Sequence, residues 1–148
     1  MRIVTAIELQ NWLSHGEVLE KDSHGPKVVR LNSGQLLKIF RSRRLPILAR
    51  LQPEAMRFNQ CASRLQALDI ATPTIDETCW LDREKLVSAC LYTPLEGQPL
   101  DKLFQNARTE FDQLLPQLAA YIYRLHRQGI YFRSLHLGNI LRTPNDDF

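Results

Sequence analysis

Lys38 lies inside an apolar run, Leu36-Leu37-Lys38-Ile39-Phe40, where an ammonium needs a partner. Ser23 to Leu68 carries nine lysines and arginines and a single acid, Glu54. On a helix that starts after Pro53, the residues Glu54, Phe58, Cys61, Leu65 and Leu68 fall within roughly 80° of one another. A carboxylate facing inward is costly unless paired. A Lys38–Glu54 pair would satisfy both groups and fix an ammonium where a phosphate could bind. The competing arrangement leaves Glu54 wet in the first turn of its helix, where the helix dipole favours an anion. Lys38 would then project from the solvent face of its strand.

Near the other end stand Ser134 and His136. A Ser–His pair can form an activated nucleophile, but no acid can be placed beside it to orient the imidazole. His136 alone could act as a base, or it could make a structural hydrogen bond within its loop. A serine hydroxyl alone cannot take a proton at neutral pH. The three cysteines, Cys61, Cys79 and Cys90, lie far apart with no CxxC pair. Reduced, mostly buried thiols are expected rather than a disulfide set or a zinc site.

The chain must position these groups with 148 residues, about one domain's worth. It is 44% apolar and 24% charged, close to globular averages, which excludes disordered and collagen-like classes. No apolar run reaches the roughly 18 residues needed to span a bilayer. Glu8 interrupts what a signal peptide would need at the start. A soluble, cytoplasmic protein is expected.

Thr5 and Glu8 fit a capping box that opens a short amphipathic helix. EVLEKD, KVVRL and QLLKIF read as strands separated by turn signals at Ser23–Pro26 and Asn32–Gly34. Pro46 to Leu68 reads as helix with a break near Pro53, and TIDETCWL and LVSACLYTPL as two more strands. Pro99–Asn106 reads as a short helix or turn. Thr109–Gln128 reads as a long amphipathic helix with Phe111, Leu115, Leu118, Ile122 and Leu125 as its apolar stripe. NIL then reads as a short strand. The expected fold is α+β: a five-stranded antiparallel sheet with one helix over residues 1–97, then the start of a helical part over 98–148.

The segment LHRQGIYFRSLHLGNIL resembles the catalytic loop of the protein-kinase-like superfamily. It is most similar to bacterial small-molecule and lipopolysaccharide kinases, with a pattern like LHxxGIxHxDLHxGNIL. Leu125, His126, Gly129, Ile130, Leu135, His136, Gly138, Asn139, Ile140 and Leu141 carry the match. Ser134 and Asn139 keep the spacing of the kinase Asp and Asn. Within that superfamily the chain resembles the lipopolysaccharide core (Kdo and heptose) kinases and the toluene tolerance proteins grouped with them. The resemblance implies a kinase-like N-lobe followed by an incomplete helical C-lobe. It implies that Lys38 contacts ATP phosphates, Glu54 orients Lys38, Asn139 ligates Mg2+, and Leu91 to Gly97 forms a hinge beside adenine. Phosphoryl transfer is largely positioning plus charge neutralisation, so these are its minimal parts.

The sequence departs from that pattern in places. Ser134 stands where the base Asp belongs, and Phe132 replaces a polar residue that opens the loop. KDSHGPK, between the first two strands, has one glycine where a phosphate-covering loop has several. Nine residues follow Asn139, too few for the family's second metal-binding Asp, and Asn145–Asp147 reads as a turn tip. The expectation is an inactive or incomplete kinase-like domain, or a non-catalytic pseudokinase module that binds nucleotide, lipid, glycan or protein. The basic cluster Arg41, Arg43, Arg44 and Arg50 suggests a polyanionic partner: a phosphorylated glycan such as lipopolysaccharide core, or the inner membrane surface. Nucleic acid is the weaker alternative, because no RNP-type aromatic signature or helix-turn-helix is present.

Overall fold

The computed structural model describes residues 1–133, 135–145 and 147–148. Ser134, which the resemblance sets at the place of the kinase base, and Asp146, within the expected turn tip, lie outside them. The chain forms two compact units, Met1–Pro94 and Leu95–Phe148. The break falls three residues before the boundary read from the sequence.

In the first unit, β1 (Arg2–Ile3) and α1 (Ala6–His15) precede the strands β2 (Glu17–Asp22), β3 (Gly25–Arg30) and β4 (Leu36–Arg41). The helices α2 (Pro46–Leu51) and α3 (Glu54–Gln66) follow, then β5 (Thr74–Asp82) and β6 (Val87–Thr93). The sheet has six strands in the order β1-β5-β6-β4-β3-β2. Five of them pair antiparallel, as the sequence leads one to expect. The sixth corrects that expectation: β1 joins β5 in parallel and makes the sheet mixed. A two-residue strand leaves no period-2 signal, and its pairing is held from outside the strand. The Arg2 guanidinium forms ion pairs with Glu8 on α1 and with Glu77 on β5. Thr5 caps α1 by accepting the Glu8 N–H at 3.2 Å.

Side chains alternate across the sheet, so each strand serves two cores. On one face, Val29, Leu37, Ile39, Cys79, Ala89 and Leu91 pack with Leu9, Trp12 and Leu13 of α1. Gly16, where α1 turns into β2, has room only for hydrogen, because a Cβ there would lie 2.4 Å from Val29 Cγ1 and 2.6 Å from the Trp12 carbonyl. On the other face, Cys90 and Tyr92 pack against Ala55 and Phe58 of α3. No side chain caps the start of α3 from its own segment. Ser88 of β6, fully buried, does so instead by accepting the Ala55 N–H at 3.3 Å.

The helix read over Pro46–Leu68 is two helices, because Gln52 and Pro53 interrupt it. The phase of α3 also differs from the expected stripe. Its fully buried residues are Ala55 and Ala62, whereas Cys61 and Leu68 are exposed. Small residues let the helix lie close on the sheet, which turns the larger 61/68 edge outward. The thiols therefore divide: Cys61 is exposed, and Cys79 and Cys90 are buried. Titration of the native protein with a thiol reagent is expected to modify Cys61 fast and the other two only on unfolding. Fast modification of Cys79 or Cys90 would contradict this packing.

In the second unit, β7 (Gln98–Pro99) leads into α4 (Leu100–Asn106) and α5 (Arg108–Arg127), followed by a 3-10 turn (Leu137–Asn139) and β8 (Leu141–Arg142). β7 pairs antiparallel with β8. Helix α5 runs unbroken through Pro116 and stops at Gly129, whose φ of 74° suits glycine. Phe111 and Leu118 pack with Leu100, Leu103, Ile140 and Phe148. Leu115, expected in this stripe, is 45% exposed. Thr143 and Asp147 exchange three hydrogen bonds.

Both families of elements expected from the sequence, strands in the first part and helices in the second, are thus present as a mixed α+β fold. Among the described residues, no helix is long and apolar enough to cross a membrane.

Candidate functional site

Lys38 occupies the middle of β4, paired with Val28 on one side and Cys90 on the other. Alternation sends Leu37 and Ile39 to the α1 face and turns Lys38, with Leu36 and Phe40, to the α3 face. Its ammonium lies 4.8 Å from the centre of the Phe58 ring and 5.8 Å from that of Phe40. Phe58 in turn touches Phe40 and Tyr92, at ring separations of 5.6 and 6.1 Å. The lysine stem is therefore half-buried along an aromatic shelf, and its charge rests on ring faces.

Of the two arrangements open to these residues, the Lys38–Glu54 ion pair is not formed among the described residues. Among the described residues no carboxylate comes within 4 Å of the Lys38 ammonium. The two residues do share the α3 side of the sheet, but the α3 side chain that reaches Lys38 is Phe58, one turn beyond Glu54. Glu54 sits in the first turn of α3, partly exposed, with the Arg57 guanidinium 3.5 Å away. That is the wet, dipole-favoured alternative for the glutamate. It also lines a cleft of about 450 Å3 with Lys27, Arg41 and Arg43. In that cleft the Asp22 carboxyl is held below the usual carboxylate range, first by the His24 N–H and then by the nearby Arg41. The Arg41 guanidinium donates to the Pro26 carbonyl at 3.1 Å and lies 3.9 Å from Asp22.

Leu91 lies on the face opposite Lys38, buried among Val4, Val29 and Leu37. Its side chain belongs to the α1 core. Beside Lys38, burial pushes the Cys90 thiol up to about 12, although the nearby lysine charge opposes the shift.

In the second unit the loop residues form a tight local structure. The Asn139 N–H donates to the His136 carbonyl at 2.9 Å, and both side chains are exposed. Between them Gly138 is closely flanked. A Cβ at that position would lie 3.1 Å from Asp101 Oδ2 and 3.3 Å from the His136 ring. Asp101, in the first turn of α4, was not a candidate from the sequence. Its only signal there is an acid one residue into a helix, which ordinarily reads as dipole compensation.

Magnesium needs several oxygen ligands, usually with carboxylates among them. Among the described residues no group of three or more His, Cys, Asp or Glu is placed to hold a metal ion. Magnesium at Asn139 therefore stays what the resemblance implies, with Asp101 the carboxylate that the structure places beside the neighbouring Gly138. No protein-family model matches the chain, and no curated protein matches it.

Proposed function

We propose that this chain is a kinase-like domain, similar to bacterial lipopolysaccharide core sugar kinases and toluene tolerance proteins, that serves as a non-catalytic binding module for a phosphate-bearing ligand, nucleotide first. The observation that carries the reading is the state of Lys38. Its ammonium is held on an aromatic shelf with no carboxylate in ion-pair range among the described residues. A half-buried cation in that state favours an anion, and charge-assisted contacts to phosphate are strong.

The order of elements supports the family part of the reading. A sheet lysine precedes a sheet-packed helix, a hairpin, a long helix and the LHxxGI…LHLGNIL loop. Against catalysis stand Ser134 in place of the base and Phe58 in place of an acid facing Lys38. The enzyme reading, ATP-dependent transfer to a sugar hydroxyl, would need His136 as base and a metal held at Asn139. In this proposal the module works in the cytoplasm at the inner membrane, where phosphorylated glycan is within reach.

Thermal unfolding with ATP, with and without magnesium, tests the proposal, paired with a γ-phosphate transfer assay on lipopolysaccharide core oligosaccharide. ATP at about a hundred times its Kd is expected to stabilise the fold by about 2.7 kcal/mol. The shift should persist without magnesium, and no phosphate should move. Transfer at ordinary kinase rates would replace the module by the enzyme. No ATP-induced shift would remove the nucleotide.

A further inference from the structure

Helix α2 buries only Ala49. Around it Leu45, Ile47 and Leu51 are 71%, 73% and 76% exposed, and Leu48 is 46% exposed. One exposed leucine is ordinary, but three large apolar side chains on one short helix and a fourth, Leu45, just before it make an apolar patch that calls for a partner. At about 100° per residue, Ile47, Leu48 and Leu51 share an arc of roughly 100°.

The charges around this patch say which partner. Residues 42–53 contain Arg43, Arg44 and Arg50 and no acid, and the acids Asp82 and Glu84 line a cleft with Arg50 and Arg83. Arg43 and Arg50 are exposed and form no ion pair among the described residues. Arg44 reaches the Gln52 carbonyl at the end of α2. A second copy of this surface would bring arginine against arginine. An apolar protein groove would strip the guanidinium groups of water without neutralising them. A bilayer with anionic headgroups accepts both features: leucines enter the acyl boundary while arginines meet lipid phosphates.

We propose that α2 and its arginines form a peripheral membrane-docking element for bilayers that carry anionic phospholipid. This names the surface by which the module of the preceding section reaches a membrane. It uses none of the residues around Lys38, so the two readings fail separately.

Co-sedimentation tests the proposal with vesicles of phosphatidylcholine alone and of phosphatidylcholine with an equal share of phosphatidylglycerol. The full chain is expected to pellet with the anionic vesicles, less so as salt rises, and to stay in solution with the neutral ones. The Ile47→Asp/Leu51→Asp variant is expected to lose about a hundredfold or more in partitioning. Arg43→Gln/Arg50→Gln should lose roughly thirtyfold. Both variants change exposed side chains, so their melting temperatures should match the parent chain, and the Ile47→Asp/Leu51→Asp variant should keep the parent's ATP-induced shift. The proposal is overturned if the chain ignores anionic vesicles, or if the aspartate pair leaves partitioning unchanged. It is also overturned if sedimentation shows a dimer that the aspartate pair dissolves while vesicles remain unbound.

Discussion

Leu37→Ala is expected to lower the stability of the first unit by about 3 kcal/mol, a large share of what a domain of this kind has to lose. Leu37 is completely buried in β4. Its neighbours across the sheet are Val29 on β3 and Leu91 on β6, and α1 closes the core above it. Backbone ladders fix β4 on both sides, so the strands cannot close over the vacated volume. Both the transfer loss and the cavity loss are then felt. Leu51→Ala provides the contrast: at 76% exposure its effect should stay within about 0.5 kcal/mol. Trp12 and Trp80, the two tryptophans, both lie in this unit, so their fluorescence in a urea titration reports it directly. The midpoint should fall for Leu37→Ala with the slope unchanged. Equal effects at the two leucines would mean that the described core is wrong.

Stability is also expected to fall steeply in alkali. Burial pushes the Cys90 thiol up to about 12, the Cys79 thiol up to about 11 and the Tyr92 hydroxyl up to about 12. An unfolded thiol releases its proton near pH 9, so above that point the unfolded chain holds fewer protons than the folded one. Stability is therefore complete below about pH 9 and is lost as pH climbs toward the folded values. Cys90 alone takes off about 1.4 kcal/mol per pH unit in that window, and Cys79 and Tyr92 act in the same direction. Urea midpoints measured from neutral pH to about pH 11 should show the decline, and Cys90→Ala should flatten it. A stability that stays level through this range would contradict burial of these groups.

The strands were legible because each keeps its local signal. β4 is a short apolar run around Lys38, and turns carrying Ser, Gly, Pro and Asn separate β2, β3 and β4. The long helix α5 was legible from its apolar period and from Gly129. What escaped depends on tertiary contact. The β1 strand pairs with β5, more than seventy residues away, and carries too few residues to declare itself. The stripe chosen for α3 followed its large side chains, but the helix packs through Ala55 and Ala62, which hydropathy ranks lower. Of the expected stripe it is Phe58, one turn beyond Glu54, that meets Lys38. The apolar types of the α2 leucines carry no signal of their exposure, and only Ala49 of that helix is buried. The apolar run around Lys38 shows only that the ammonium has no partner on its own strand. Sequence could not say that its company would be aromatic.

Calorimetric titration of ATP without magnesium into the full chain and into Lys38→Ala tests the central claim most directly. The account predicts saturable binding by the parent chain, weakened about tenfold or more by the substitution, since a charge-assisted contact is lost. No saturable heat in the parent chain, or equal affinity in a Lys38→Ala protein that melts at the parent's temperature, would contradict it.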